Sequence, residues 1–196
     1  MTWNFGTITL AGSLAGVLVA GAVSFAVPAH YVSRAVVTAR PADEVTRGTA
    51  DDVLKQTVFN REVLSALIQD DNLYPRERER IPLDEVIDKM TKNIQVISIL
   101  PPSPGNRQTL TFFFQFDYRR RDLAQKVNQQ LLVRFLDGNL NAQPNSTFSV
   151  DTPPSLPLAP SAPNRPLFAA IGLFSGLIVG VILAVANELI RSVTSD

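Results

Sequence analysis

The sequence predicts an α+β domain carried between two transmembrane helices, and three observations predict it. Two uncharged runs of twenty residues, Ile8–Val27 and Leu167–Ala186, stand near the two ends of the chain. Each rises about 30 Å as a helix, the thickness of a bilayer's hydrocarbon core. Between them the apolar periodicity gives strand, helix, strand, strand, helix, strand, the β-α-β-β-α-β order of a split βαβ, ferredoxin-like sandwich. Finally, Pro154, Pro157, Pro160, Pro163 and Pro166 fall at every third position ahead of the second run. A polyproline II helix has three residues per turn and no internal hydrogen bonds, so these prolines read as one edge of a stiff, solvated stem entering a membrane. The expected organisation is a first span over 8–27, a domain over 28–152, a proline-rich stem over 153–166 and a second span over 167–186.

Composition narrows the function classes. The 139 residues of 28–166 are long enough to bury a core and carry 17 basic against 16 acidic side chains. No basic field favours nucleic acid or an anionic lipid surface. Cysteine is absent, so redox compartment is left undecided. Two apolar spans put 28–166 on one side of a membrane and both termini on the other. Orientation is weakly encoded, because no Lys or Arg precedes Ile8 and the tail after Ala186 holds only Arg191. The first span has a rival reading as a signal peptide, with Val27-Pro28-Ala29 near a small-x-small cleavage site. A missing basic n-region and an apolar run beyond the usual h-region favour a retained anchor.

In chain order, Ile8–Val27 sets Gly12, Gly16 and Ala20 on one helical face, and Leu167–Ala186 repeats the device with Gly172, Gly176 and Gly180. Such faces let helix backbones approach closely in lipid, within one chain or between chains. Tyr31–Thr38 alternates as a half-buried strand, with Tyr31, Ala35 and Val37 on one side, and Pro41 ends it. Thr49-Ala50-Asp51-Asp52 has the form of a capping box opening a helix whose stripe is Val53, Leu54, Val58, Leu64, Leu67 and Ile68. Pro75 breaks that helix. The sign-alternating run Arg76–Arg80 reads as a solvated linker, with an inter-subunit ion-pair strip as the alternative. Pro82 suits the first turn of the next helix, where Leu83, Val86, Ile87, Met90 and Ile94 share a face. Gln95–Leu100 is a short strand, and Pro101–Gln108 a loop.

Thr109–Tyr118 alternates strictly, placing Leu110, Phe112, Phe114, Phe116 and Tyr118 on one face, each worth roughly 1.5–3 kcal/mol on full burial. Period two makes this stripe sheet core rather than a stacking platform for sugars or bases. Arg119–Leu136 is a helix with Leu123, Val127, Leu131 and Phe135 four apart, and Gly138 is placed to cap it. Ser146–Asp151 is the last strand.

No catalytic constellation is present, and the chain reads as a non-enzyme. The one histidine, His30, falls at the end of a span, where an interfacial polar residue is expected. One histidine and no cysteine cannot assemble the usual transition-metal sites, and no glycine-rich phosphate loop exists, so no cofactor is expected. Asp70-Asp71 and Asp84-Glu85 read as solvated helix faces. Arg119-Arg120-Arg121 reads as a basic turn opening a helix, with an anionic glycan or lipid phosphate as the sharper alternative.

Two spans flanking an α/β domain, with Leu156-Pro157-Leu158-Ala159-Pro160-Ser161-Ala162-Pro163-Asn164-Arg165-Pro166 leading into a glycine-spaced second span, resemble the Wzz-type polysaccharide chain-length determinants, the polysaccharide co-polymerases. The strand start Tyr31-Val32-Ser33-Arg34-Ala35 is similar to theirs, and Leu73-Tyr74-Pro75-Arg76 resembles the exopolysaccharide-transport branch. The resemblance implies a bacterial inner-membrane protein with a periplasmic domain and cytoplasmic termini. It implies a homo-oligomeric ring that regulates the length or export of a lipid-linked glycan made by a separate polymerase. Pro157, Pro160, Pro163, Pro166, Gly172, Gly176 and Gly180 match the family's proline and glycine positions. Two departures stand out. Only Gly138–Asn145 fills the place of the family's long helical extension, and the tail after Ala186 is short, so a partner kinase is expected to be a separate cytoplasmic protein. A reading from another class is an accessory or sensor input subunit of a different envelope complex, binding a periplasmic partner. A third, a PxxP ligand for an SH3 domain, requires a cytosolic stem.

Overall fold

A computed structural model describes residues 5–40, 44–99 and 109–194. In chain order the elements are α1 (Phe5–Ala26), β1 (Tyr31–Arg40), α2 (Glu44–Val53), a π-helical turn (Leu54–Val58), α3 (Arg61–Asp70), α4 (Pro75–Arg78), α5 (Leu83–Asn93), β2 (Ile94–Ile99), β3 (Leu110–Tyr118), α6 (Arg121–Ala142), β4 (Thr147–Thr152) and α7 (Arg165–Thr194). They form two compact units. One joins Met1–Ala29 with Ser161–Asp196, and the other is His30–Pro160. The expected loop over 101–108 and the strand stop at Pro41 lie outside the described residues.

The second unit is α+β, built on a four-stranded sheet of order β2-β3-β1-β4 with every pairing antiparallel. The β1 and β4 strands are neighbours. Strand β3 buries Leu110, Phe112, Phe114, Phe116 and Tyr118 on one face, the set that period-two alternation selects. Strand β1 turns smaller residues to the same side, Ser33, Ala35, Val37 and Ala39. Small residues there leave room for α6, whose Phe135 ring lies 5.1 Å from Phe112, 5.0 Å from Phe114 and 5.9 Å from Phe148. Val86, Ile87 and Met90 of α5 and Leu64, Leu67 and Ile68 of α3 complete the core. The other sheet face is less covered, with Ile97 and Ile99 about half exposed.

Three local expectations are corrected. The capping box at Thr49 is not a helix start, because α2 begins at Glu44. Thr46 and Ala50 are both buried one turn apart, so the buried stripe extends upstream of the box and carries the helix with it. The single stripe from Val53 to Ile68 also spans a break: Phe59 N–H donates to Leu54 O at 2.9 Å, closing the π-turn, and Asn60 restarts the helix by accepting from Glu62 N–H at 2.8 Å. Gly138 is not a cap either, since α6 continues to Ala142. A Cβ at Gly138 would stand 2.7 Å from Val53 Cγ1 and 2.9 Å from Thr57 Cγ2, so the glycine lets α6 pass closely over the π-turn region.

The start of the proline ladder belongs to this unit and is bonded to it. Ser155 N–H donates to Arg34 O at 2.9 Å, Arg34 N–H donates to Ser155 Oγ at 3.0 Å, and Gln125 Nε2 donates to Pro154 O at 3.0 Å. Bends follow at Leu158 and Ala159. The ladder is therefore not one free, straight rod, because the open backbone groups of β1 at Arg34 take up its first residues.

Candidate functional site

In the first unit, α1 and α7 pack antiparallel along the small-residue faces. Gly12 faces Gly180, Gly16 faces Gly176, and Ala20 faces Gly172. A Cβ at Gly12 would lie 2.7 Å from Gly180 Cα, and one at Gly16 would lie 2.8 Å from Gly176 Cα. Gly172, Gly176, Gly180 and then Ala184 form a buried stripe on α7. The two stripes that the sequence sets apart are thus the two halves of one intrachain seam. Outside it the surface is apolar: Leu10, Leu14, Leu18, Phe25, Phe174, Ile178 and Ile182 are all mostly exposed. The hydroxyls of Ser13 and Ser175 return to their own helix, donating to Thr9 O and Ile171 O. Two helices here, Gly6–Ala26 and Arg165–Asn187, are long and apolar enough to cross a membrane.

Arg165 and Pro166 open α7, and Pro163 lies two residues ahead of it. The peptide bond before Pro163 is cis. The Arg165 guanidinium sits 4.6 Å from the centroid of the Phe25 ring. At the same end Ser24 is 4% exposed, and its hydroxyl has no hydrogen-bond partner among the described residues. Beside the seam runs an apolar groove of about 580 Å³, bounded by Ala15, Val19 and Val23 of α1 and Phe168, Ser175 and Leu183 of α7.

No family model and no curated protein matches this chain. The reading of the site therefore rests on its residues.

In the second unit the Leu73-Tyr74-Pro75-Arg76 stretch is a buried turn. Leu73 and Tyr74 are buried, and Tyr74 has a left-handed backbone with φ 51. Its N–H donates to Tyr118 Oη at 2.9 Å, its own Oη accepts from Asn93 Nδ2 at 2.9 Å, and the two tyrosine rings meet edge to face at 5.1 Å. Burial first, with smaller effects from nearby charge, pushes the Tyr74 phenol well above its ordinary range, so it stays a neutral hydrogen-bonding group.

The charged run beyond it is neither a wholly solvated linker nor free for a partner subunit at every position. Glu77 turns inward to pair with Lys89 at 2.8 Å and Arg119 at 3.2 Å, while Arg76, Glu79 and Arg80 are exposed. Burial alone pushes the Glu77 carboxyl up. The Lys89 hydrogen bond, a backbone hydrogen bond and the charges of Lys89 and Arg119 outweigh it and hold the carboxyl below its ordinary range. In the basic triplet Arg119 pairs with Glu77, and Arg120 pairs with Asp122 at 2.5 Å on the surface.

Asp71, expected on a solvated face, is buried instead: its side chain is 2% exposed and pairs with Lys126 at 2.5 Å. His30 falls in this unit and pairs through Nδ1 with Asp117 Oδ1 at 2.9 Å rather than serving only as an interfacial residue. A small polar hollow of about 90 Å³ lies nearby, lined by Val32, Lys92, Asn93, Gln95, Gln115 and Asp117. Among the described residues no three His, Cys, Asp or Glu side chains converge as a metal site. Asn60 has no reading in the sequence, Gly138 reads there as a cap, and Glu77 reads as part of a solvated run. Of these only Asn60, an N-cap residue just ahead of Arg61-Glu62, carries a local signal.

Proposed function

We propose that this chain is a non-enzymatic, oligomeric inner-membrane scaffold that regulates the length or export of a cell-surface polysaccharide. In this reading α1 and α7 cross the membrane as a pair, the α+β unit lies in the periplasm and both termini are cytoplasmic. The unit is a split βαβ sandwich, a reading supported by a helical connection from β1 to β2 that skips one strand and another from β3 to β4 that does the same.

The observation that carries the reading is the seam. Two apolar helices at opposite ends of the sequence meet through matched glycines, so the chain of a domain of ordinary size is inserted between the two helices of a single hairpin. Such an arrangement fixes a domain at a membrane surface without supplying chemistry. It suits a protein that holds or measures something made by others, here a polymerase acting on a lipid-linked glycan, with a kinase as a separate cytoplasmic partner. Because the glycine faces are used within the chain, contacts between subunits fall to the outward faces of α1 and α7 and to the α+β unit. Deleting the gene tests the function. A changed glycan length distribution or reduced export is expected, and an unchanged profile with unchanged export overturns the reading.

A further inference from the structure

We infer that the groove beside the α1–α7 seam holds the hydrocarbon tail of a membrane lipid whose headgroup is a net-anionic phosphate, with that phosphate on Arg165. The inference rests on the membrane-spanning reading of the two helices and adds a ligand to it. The groove of about 580 Å³ falls in the roughly 300–1,000 Å³ range of small-molecule sites. It follows α7 from Phe168 to Leu183, about 22 Å at 1.5 Å per residue. Its rim is apolar, and its one hydroxyl, on Ser175, is already bonded to Ile171 O. A hydrocarbon chain fills such a trough; left empty, its lining forfeits dispersion contacts.

The end of the groove says which lipid. Arg165 carries the only formal charge in residues 5–29 and 161–187, and no carboxylate in those stretches balances it. It lies one turn before Phe168, at the groove's end, and is held over the Phe25 ring. A guanidinium presents five donors in a rigid fork that fits phosphate oxygens in pairs. This is one local contact rather than a basic field, so it agrees with the chain's balanced charge. A second copy of the chain fits less well. Helices approach closely in lipid through small-residue stripes, and the glycine stripes of α1 and α7 already face each other.

The test uses the full chain in mild detergent and native mass spectrometry against an equal mixture of dioleoyl phosphatidic acid and dioleoyl phosphatidylcholine. Wild type is expected to retain the phosphatidic acid about tenfold better. Arg165→Gln is expected to bring the two lipids to parity, Ser175→Phe or Ala15→Phe to reduce retention of both, and inorganic phosphate not to displace the lipid. Parity in wild type, no effect of Arg165→Gln, or efficient dimer cross-linking through Ser175→Cys overturns the inference. The two readings fail separately. A chain recovered without detergent sinks the membrane reading, whereas a membrane-embedded chain indifferent to headgroup sinks only the lipid site.

Discussion

Tyr118 closes β3 and places its hydroxyl under a backbone that turns the wrong way for an ordinary residue. Tyr74, with positive φ, depends on that hydroxyl for its N–H. Tyr118→Phe leaves the N–H buried without an acceptor, and we expect the full chain to lose about 1–3 kcal/mol by urea titration. Glu77 gives the second residue-scale expectation. Its folded pKa lies below the unfolded value, so the stability it lends is present above the unfolded value, about 4.3, and disappears as pH falls through the lower folded value. Acid unfolding of wild type is expected to show a loss between those two values that Glu77→Gln lacks; parallel curves for the two proteins would refute it. Neither feature is legible in the sequence. Glu77 sits in an alternating charged run that looks solvated, and its partners Lys89 and Arg119 come from separate elements. Tyr74 gains its role only when β3 and α5 bring Tyr118 and Asn93 to it.

At the scale of elements, burial that repeats at the element's own period is what the sequence makes plain. The faces of β3 and α5 are legible nearly to the residue, because an alternating phenylalanine stripe and an i, i+3, i+4, i+7 set each have one way to be buried. Element ends were less plain. Thr49 looked like a cap because the box motif is local, whereas α2 is extended by the burial of Thr46 and Ala50 against the rest of the unit. Gly138 looked like a terminator because glycine near an expected helix end is usually one. Its actual constraint is Val53 and Thr57, more than eighty positions away in sequence. The glycine spacing in α1 and α7 was visible, but not that the two faces meet. Their pairing gives a test with an internal control. Gly16→Leu forces the helices apart and is expected to destabilise the detergent-solubilised chain by about 1–3 kcal/mol in thermal unfolding. Gly21→Leu, where an added Cβ meets nothing within 4 Å, is expected to leave it unchanged. Equal loss in both variants would mean that the seam is not what the glycines are for.

On the scale of the whole molecule, the α+β class and the two apolar helices followed from periodicity and run length, while the proposed function depends on how copies assemble. The proline ladder bears on this. Its first residues are pinned to β1 through Ser155 and to α6 through Pro154, so the stretch that can set geometry is shorter than the sequence suggests. Replacing Pro157, Pro160 and Pro163 with alanine removes fixed φ angles from that stretch. It is expected to lower the mass of the detergent-solubilised assembly toward that of single chains; a wild-type mass would leave the ladder a spacer. We propose that the sealed helix pair serves to govern glycan length. The most direct measurement is the length distribution of surface polysaccharide, by gel, in a strain lacking the gene and complemented with nothing, with wild type or with Gly16→Leu. The account predicts that wild type restores a defined modal length and that the empty and Gly16→Leu strains share a broadened distribution or reduced export. Identical profiles in all three strains would contradict it.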